Sequence, residues 1–140
     1  MFTNILLATD GSDHSKRAIE QTIKMVAPYK DQVKIECVYS VDGDTSKSDI
    51  LKYGNSDTAT IKRKEKFLSI LEEIKSEGIQ ADITILHGDP AETIISYANE
   101  RNYDCVVAGS RGRNKIQTLM LGSVSHKLVK YIKAPVMVVK

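Results

Sequence analysis

Short apolar runs alternate along this chain with segments of helical periodicity, and that order leaves few folds open. The runs are Ile5 to Ala8, Val33 to Val41, Ala81 to Leu86, Cys105 to Ala108 and Val136 to Val139. The first is continuous and bounded by polar residues, as suits a strand buried on both faces. The second alternates, with Val33, Ile35, Cys37, Tyr39 and Val41 set against more polar neighbours. Helical patterns fill the gaps. From about His14 to Ala27, Ala18, Ile19, Thr22, Met25 and Val26 recur at the three-and-four spacing of one face, and Pro28 helps to end the helix. From about Ala59 to Glu77 the expected buried stripe is Ile61, Phe67, Leu68, Leu71 and Ile74, with Gly78 as the stop. Asp89-Pro90-Ala91-Glu92 supplies a cap, a first-turn proline and an acidic first turn for a helix to about Arg101 that buries Ile94, Ile95 and Ala98. A last helix is expected from about Gly122 to Ile132. Strands separated by helices build a mostly parallel sheet with crossover helices, an α/β fold. Residues 42–58 are polar, with only Ile50, Leu51 and Tyr53 apolar, and read as a long connection of the functional or poorly ordered kind.

The length of 140 residues fits one domain, residues 1–140, with a single core. No apolar run approaches the roughly 20 residues that span a bilayer, and the start of the chain lacks the basic flank of an export signal. Cys37 and Cys105 lie inside apolar runs without CxxC spacing, which reads as two reduced, buried thiols and a cytoplasmic location. The formal charge of +2 hides an asymmetry. Residues 105–140 carry seven basic side chains and no acidic one, so the remainder nets −5. Lys127, Lys130 and Lys133 fit a solvated helix face. Arg111, Arg113 and Lys115 interleave with glycines in a loop, a placement that points to an anionic partner. Nucleic acid is disfavoured, because no aromatic stacking surface accompanies the basic tail.

Gly109-Ser110-Arg111-Gly112 leaves the fourth strand, and Gly122-Ser123 opens the next helix. Glycines let backbone N–H groups approach phosphate oxygens without a Cβ in the way. A helix start adds free donors and a partial positive charge. Ser123 adds a hydroxyl, and Arg111 or Arg113 a charged donor. The spacing alone is weak; the strand before, the helix after and the missing carboxylates give it weight. Asp10 and Gly11-Ser12 follow the first strand. Ligands of parallel sheets sit beyond the strands' carboxyl ends where the order reverses, so these two loops flank one crevice if strands one and four are neighbours. Asp10 would then meet a ribose hydroxyl or a divalent cation; alternatively Asp10 or Ser12 simply caps the first helix.

These residues together resemble the universal stress protein family along essentially the whole chain. The resemblance runs from Ile5-Leu6-Leu7-Ala8-Thr9-Asp10-Gly11-Ser12 through Gly88-Asp89-Pro90 and Asp104 to Gly112. It closes with Leu121-Gly122-Ser123-Val124-Ser125 and Ala134-Pro135-Val136-Met137-Val138-Val139. The family's ATP-binding branch carries G-x2-G-x9-G-[ST], and Gly109, Gly112, Gly122 and Ser123 match every fixed position. The resemblance implies a doubly wound, mostly parallel five-stranded sheet of order 3-2-1-4-5 with helices on both faces. It implies ATP, with Mg²⁺ or Mn²⁺, as the ligand. Ala8, Thr9 and Asp10 would lie along the adenosine, and the backbone near Ser40, where aliphatic residues are usual, would meet the adenine. Gly109, Arg111, Gly112, Gly122, Ser123, Val124 and Ser125 would surround ribose and phosphates. In that strand order Val136 to Val139 forms an apolar edge, which pairing with a second copy would cover, giving a homodimer.

Two functions remain open on this reading: a nucleotide-dependent stress or signalling module, and a slow ATPase or self-phosphorylating enzyme acting on Ser123 or Ser125. There is no GxxxxGK[ST] loop and no kinase catalytic set, and no catalytic residue is assigned. His14, His87 and His126 form no motif and read as surface or loop residues. A phosphoacceptor receiver would need an acidic pair after strand one and a helix after strand five. An adenylate-forming pyrophosphatase would need a serine and two adjacent glycines after strand one.

Overall fold

The computed structural model describes residues 1–41, 51–52, 54–110 and 121–140, apart from the side chains of residues 56 and 57. In chain order the elements are β1 (Asn4–Ala8), α1 (Asp13–Val26), a 3-10 helix (Ala27–Gln32) and β2 (Lys34–Val41). Then come α2 (Ser56–Ser76), β3 (Gln80–His87), α3 (Pro90–Asn99), β4 (Cys105–Gly109), α4 (Ser123–Tyr131) and β5 (Val136–Val139). The five strands form one parallel sheet in the order β3-β2-β1-β4-β5.

The apolar run of β1 is continuous because both of its faces are covered. Ile5 and Leu7 join the core under α1 and α2, with Ala18, Ile19, Phe67 and Ile74. Leu6 and Ala8 join the opposite core under α3 and α4, with Ile94, Ala98 and Leu128. Every buried side-chain nitrogen or oxygen among the described residues has a hydrogen-bond partner. Cys37 and Cys105 are free and buried. Burial, then the charge of Glu36, pushes the Cys37 thiol up to about 12.

Where the chain departs from its sequence pattern, local chemistry accounts for it. Pro28 does not stop the chain turning; it sits in the first turn of the 3-10 helix, where its missing N–H costs nothing. Helix α2 begins three residues before the expected Ala59, because the Asn55 side chain accepts from Thr58 N at 2.8 Å and caps it. Residues 42–50 and 53 of the expected connection lie outside the described residues. Ile61 and Leu68 are not part of the buried stripe: they are 56% and 59% exposed. The face that meets the sheet is Ala59, Phe67, Ile70 and Ile74, and Phe67 meets Tyr39 edge-on with ring centroids 4.6 Å apart. Ile61 and Leu68, two turns apart, fall on the other side of the helix.

At the amino ends of the central strands, Asp104 ties β1 to β4. Its Oδ2 accepts from Asn4 N (2.9 Å), Thr3 N (3.0 Å) and Thr3 Oγ1 (3.0 Å). These bonds hold its carboxyl below the ordinary 3.8, the Asn4 amide contributing most.

Candidate functional site

Because β1 and β4 are hydrogen-bonded neighbours, with Leu7 level with Val107, the loops leaving them stand side by side at the carboxyl end of the sheet. The order reverses there: β2 and β3 lie beyond β1, and β5 lies beyond β4. That is the switch point at which parallel sheets leave a crevice.

On the β1 side, Thr9 continues the pairing one residue past the strand, its N–H donating to Val38 O at 2.9 Å. The buried Thr9 hydroxyl donates to Ser15 Oγ at 3.1 Å, and Ser15 Oγ donates to Ser12 O at 3.0 Å. Asp10 is half-buried, and its Oδ1 accepts from Ser12 N at 2.9 Å, which turns the chain toward α1. Ser12 itself caps that helix, its Oγ accepting from Ser15 N at 3.3 Å. Of the two residues considered for the cap, Ser12 holds it, and Asp10 shapes the approach to it. Gly11 has φ +76°, a backbone that L side chains rarely adopt, so the turn requires glycine.

On the β4 side, Gly109 is buried at the end of the strand. A β-carbon placed on it would stand 3.0 Å from both the carbonyl carbon and the Cβ of His14, and 3.1 Å from its oxygen. Gly109 thus lets the first turn of α1 lie directly on β4. Ser110 N donates to Val139 O at 2.7 Å, and Gly122 N donates to Ser110 O at 2.8 Å, so the two ends of the intervening segment meet. Arg111 and Gly112 lie outside the described residues. Gly122 is the cap residue of α4 and has no side chain with which to bond the first amides of that helix. The caps of α1, α2 and α3 all use a side-chain oxygen. Ser123 is exposed and Val124 is half-buried. Ser125 is buried, its hydroxyl donating to Gly109 O at 2.6 Å.

Ser40 stands near the end of β2 on the α3 face. Its hydroxyl donates to Gly88 O at 3.1 Å and shares a 2.8 Å bond with Thr93 Oγ1. The side chain therefore ties β2 to the start of α3, and what it leaves for a ligand is backbone. Ala8 is buried in the core of that same face.

Sequence similarity spans the chain from end to end. Residues 1–140 match the profile of the Universal stress protein family. The chain belongs to that family. Universal stress protein YxiE of Bacillus subtilis is 31% identical over 149 aligned residues, which cover 100% of both chains. Among solved structures, hypothetical protein MJ0577 superposes with a TM-score of 0.84 at 25% identity, covering 100% of this chain and 96% of that one. A universal stress protein family member from Arabidopsis thaliana, solved with AMP bound, gives a TM-score of 0.73 at 24% identity over 99% of this chain and 91% of that one. The strand order 3-2-1-4-5 implied by the resemblance is the one found.

Two residues of this stress-protein crevice stand where the sequence reading did not put them. His14 is not a surface residue: it is 3% exposed beneath Gly109, and an Arg17 guanidinium nitrogen lies 2.7 Å from its Nδ1. Arginine can only donate, so Nδ1 accepts and the ring proton of the neutral form sits on Nε2. The signal was present, since His14 falls four residues before Ala18 on the buried stripe of α1. No motif or periodicity in the sequence singles out Lys66, yet its side chain lies across Gly11. Among the described residues no three His, Cys, Asp or Glu side chains gather in a way that could hold a metal ion.

Proposed function

We propose that this universal stress protein is a nucleotide-dependent stress or signalling module that binds ATP in the crevice between the β1–α1 and β4–α4 loops. The observation that carries the reading is the start of α4. Among the described residues it has no side-chain cap, and it follows β4, the neighbour of the strand that leads into Asp10, whose carboxylate has one oxygen engaged in the turn. Unpaired amides and the helix dipole favour phosphate there, and a carboxylate one strand away favours a ribose hydroxyl. The buried hydroxyls of Thr9, Ser40 and Ser125 are satisfied internally. Recognition would therefore fall to backbone groups at the two loops, to Asp10 and to Ser123, with the motif residues Arg111 and Gly112 completing the cradle. Mg²⁺ or Mn²⁺ would arrive with the triphosphate. The AMP held by the Arabidopsis relative supports the adenine-nucleotide class. Isothermal titration with ATP and Mg²⁺ tests the reading: saturable heat is expected, and a flat titration into the millimolar range would sink it.

Self-phosphorylation is the second reading. Of the two hydroxyls weighed for it, Ser123 is exposed while Ser125 is 6% exposed and bonded to Gly109 O. Labelled γ-phosphate appearing on Ser123 would favour it over simple binding.

The same proposal extends to assembly and location. Pro135 O and Val139 O accept from β4, so in β5 the backbone groups of Met137 and Val139 face β4 and those of Val136 and Val138 face the open edge. A second copy pairing along that half-buried apolar edge would cover it and make a homodimer. The free, buried thiols fit a reducing cytoplasm.

A further inference from the structure

Helix α2 runs antiparallel to its strands, so its amino-terminal half lies at the carboxyl end of the sheet, level with the crevice. Phe67, wedged against Tyr39 near the end of β2, fixes its height and rotation. The neighbouring residue, Lys66, is thereby laid over the β1–α1 turn. Its Nζ and Cε lie 2.5 and 2.6 Å from where a β-carbon on Gly11 would stand. The positive φ of Gly11 and the absence of a side chain there leave room for the lysine stem and ammonium over the turn.

Charge makes this placement informative. Lys62, Arg63, Lys64 and Lys66 face a single carboxylate, Glu65, within this stretch of helix, and Lys62 takes Glu65 at 3.4 Å. Lys66 has no ion pair with any described residue. An exposed cation at the mouth of a crevice, among other cations and without a carboxylate partner among the described residues, is placed for an anion.

We infer that Lys66 is a further binding residue of this crevice: its ammonium takes the outer phosphates of a bound adenine nucleotide and so ranks ATP above AMP. The inference rests on the nucleotide reading above. The alternative is a stem that merely covers the turn with its head in water. Lys66→Met separates the two, because it keeps an unbranched stem of similar length and removes the charge. Calorimetric titration of wild type and K66M with ATP, ADP, AMP and adenosine, each with Mg²⁺, is the experiment, with thermal melting of both proteins to show the same fold. The variant is expected to bind ATP about tenfold more weakly, AMP with a smaller loss and adenosine unchanged, and Lys66→Arg to recover most of the ATP affinity. If wild type binds ATP and K66M matches it within about twofold, or loses all four ligands equally, Lys66 is only a cover and the nucleotide reading stands. A wild type that binds none of the four overturns both.

Discussion

Gly109→Ala isolates what the first motif glycine does for the fold. The added methyl carbon would stand 3.0 Å from the His14 carbonyl carbon and Cβ and 3.1 Å from the His14 oxygen. Two of those three atoms are main chain, in the first turn of α1, and cannot rotate away. His14 is 3% exposed, and its ring is held against Arg17 at 2.7 Å. Relief must come from moving the helix off β4 by a few tenths of an ångström, and overpacking of this kind costs about 1–3 kcal/mol. Gly109 does not have a positive φ, so alanine meets no backbone strain and regains about 0.4–1 kcal/mol from the less flexible unfolded chain. The net expectation is a loss of about 1–2 kcal/mol, a fall in melting temperature of roughly 3–8 °C for a domain of this size. Urea denaturation followed by circular dichroism, without ligand, measures it directly. The Gly109 carbonyl also accepts the Ser125 hydroxyl at 2.6 Å, so displacement would disturb the start of α4 as well. A ligand-free variant as stable as wild type would refute the packing argument and leave ligand approach as the remaining reason for a glycine there.

Two other perturbations address the sheet. The Asp104 carboxyl is held below its ordinary 3.8, so the stability it contributes is complete above that value and is lost as pH falls through the lower, folded value. Asp104→Asn should therefore melt below wild type at neutral pH by a gap that closes below about pH 4; a gap unchanged down to pH 2.5 would show that the charge contributes nothing. Val138→Pro removes a backbone donor that points away from β4, so it should turn a dimer into a folded monomer in analytical ultracentrifugation. A dimer that survives the substitution would place the contact elsewhere.

The parallel sheet was legible because its signal is redundant. Each strand that is covered on both faces must be apolar throughout, as Ile5, Leu6 and Leu7 are, and each crossover helix must show one apolar face. Helix boundaries were legible where a cap residue and the apolar pattern agree, as at Asp89 before α3. They were missed where they disagree. Asn55 caps α2 ahead of any apolar residue, and α2 offers two apolar stripes, of which the one with Phe67, Ile70 and Ile74 has the sheet beneath it. Periodicity alone cannot rank two stripes; only the partner surface does. The pairing of β1 with β4 puts the Asp10 loop on the strand next to the one that ends at Gly109, as the crevice reading requires. Lys66 was invisible for another reason: its proximity to Gly11 depends on how α2 is seated, which Phe67 and Tyr39 decide from different elements.

Gly109 shows why a motif match and a mechanism are separate matters. The pattern G-x2-G-x9-G-[ST] treats its glycines as equivalent, but the described ones are not. Gly109 is small because α1 needs its space, and Gly122 matters as a cap residue that has no side chain to bond the first amides of α4. Neither has a positive φ. Substitution at Gly109 would act first on the fold and only through it on a ligand, whereas substitution of Gly122 by serine or aspartate would supply the missing cap and compete for the amides that a phosphate would use. Loss of binding after a change at Gly109 therefore says little about contact unless stability is measured beside it. Loss after Gly122→Asp, in a protein at least as stable as wild type, identifies the helix start as the phosphate site.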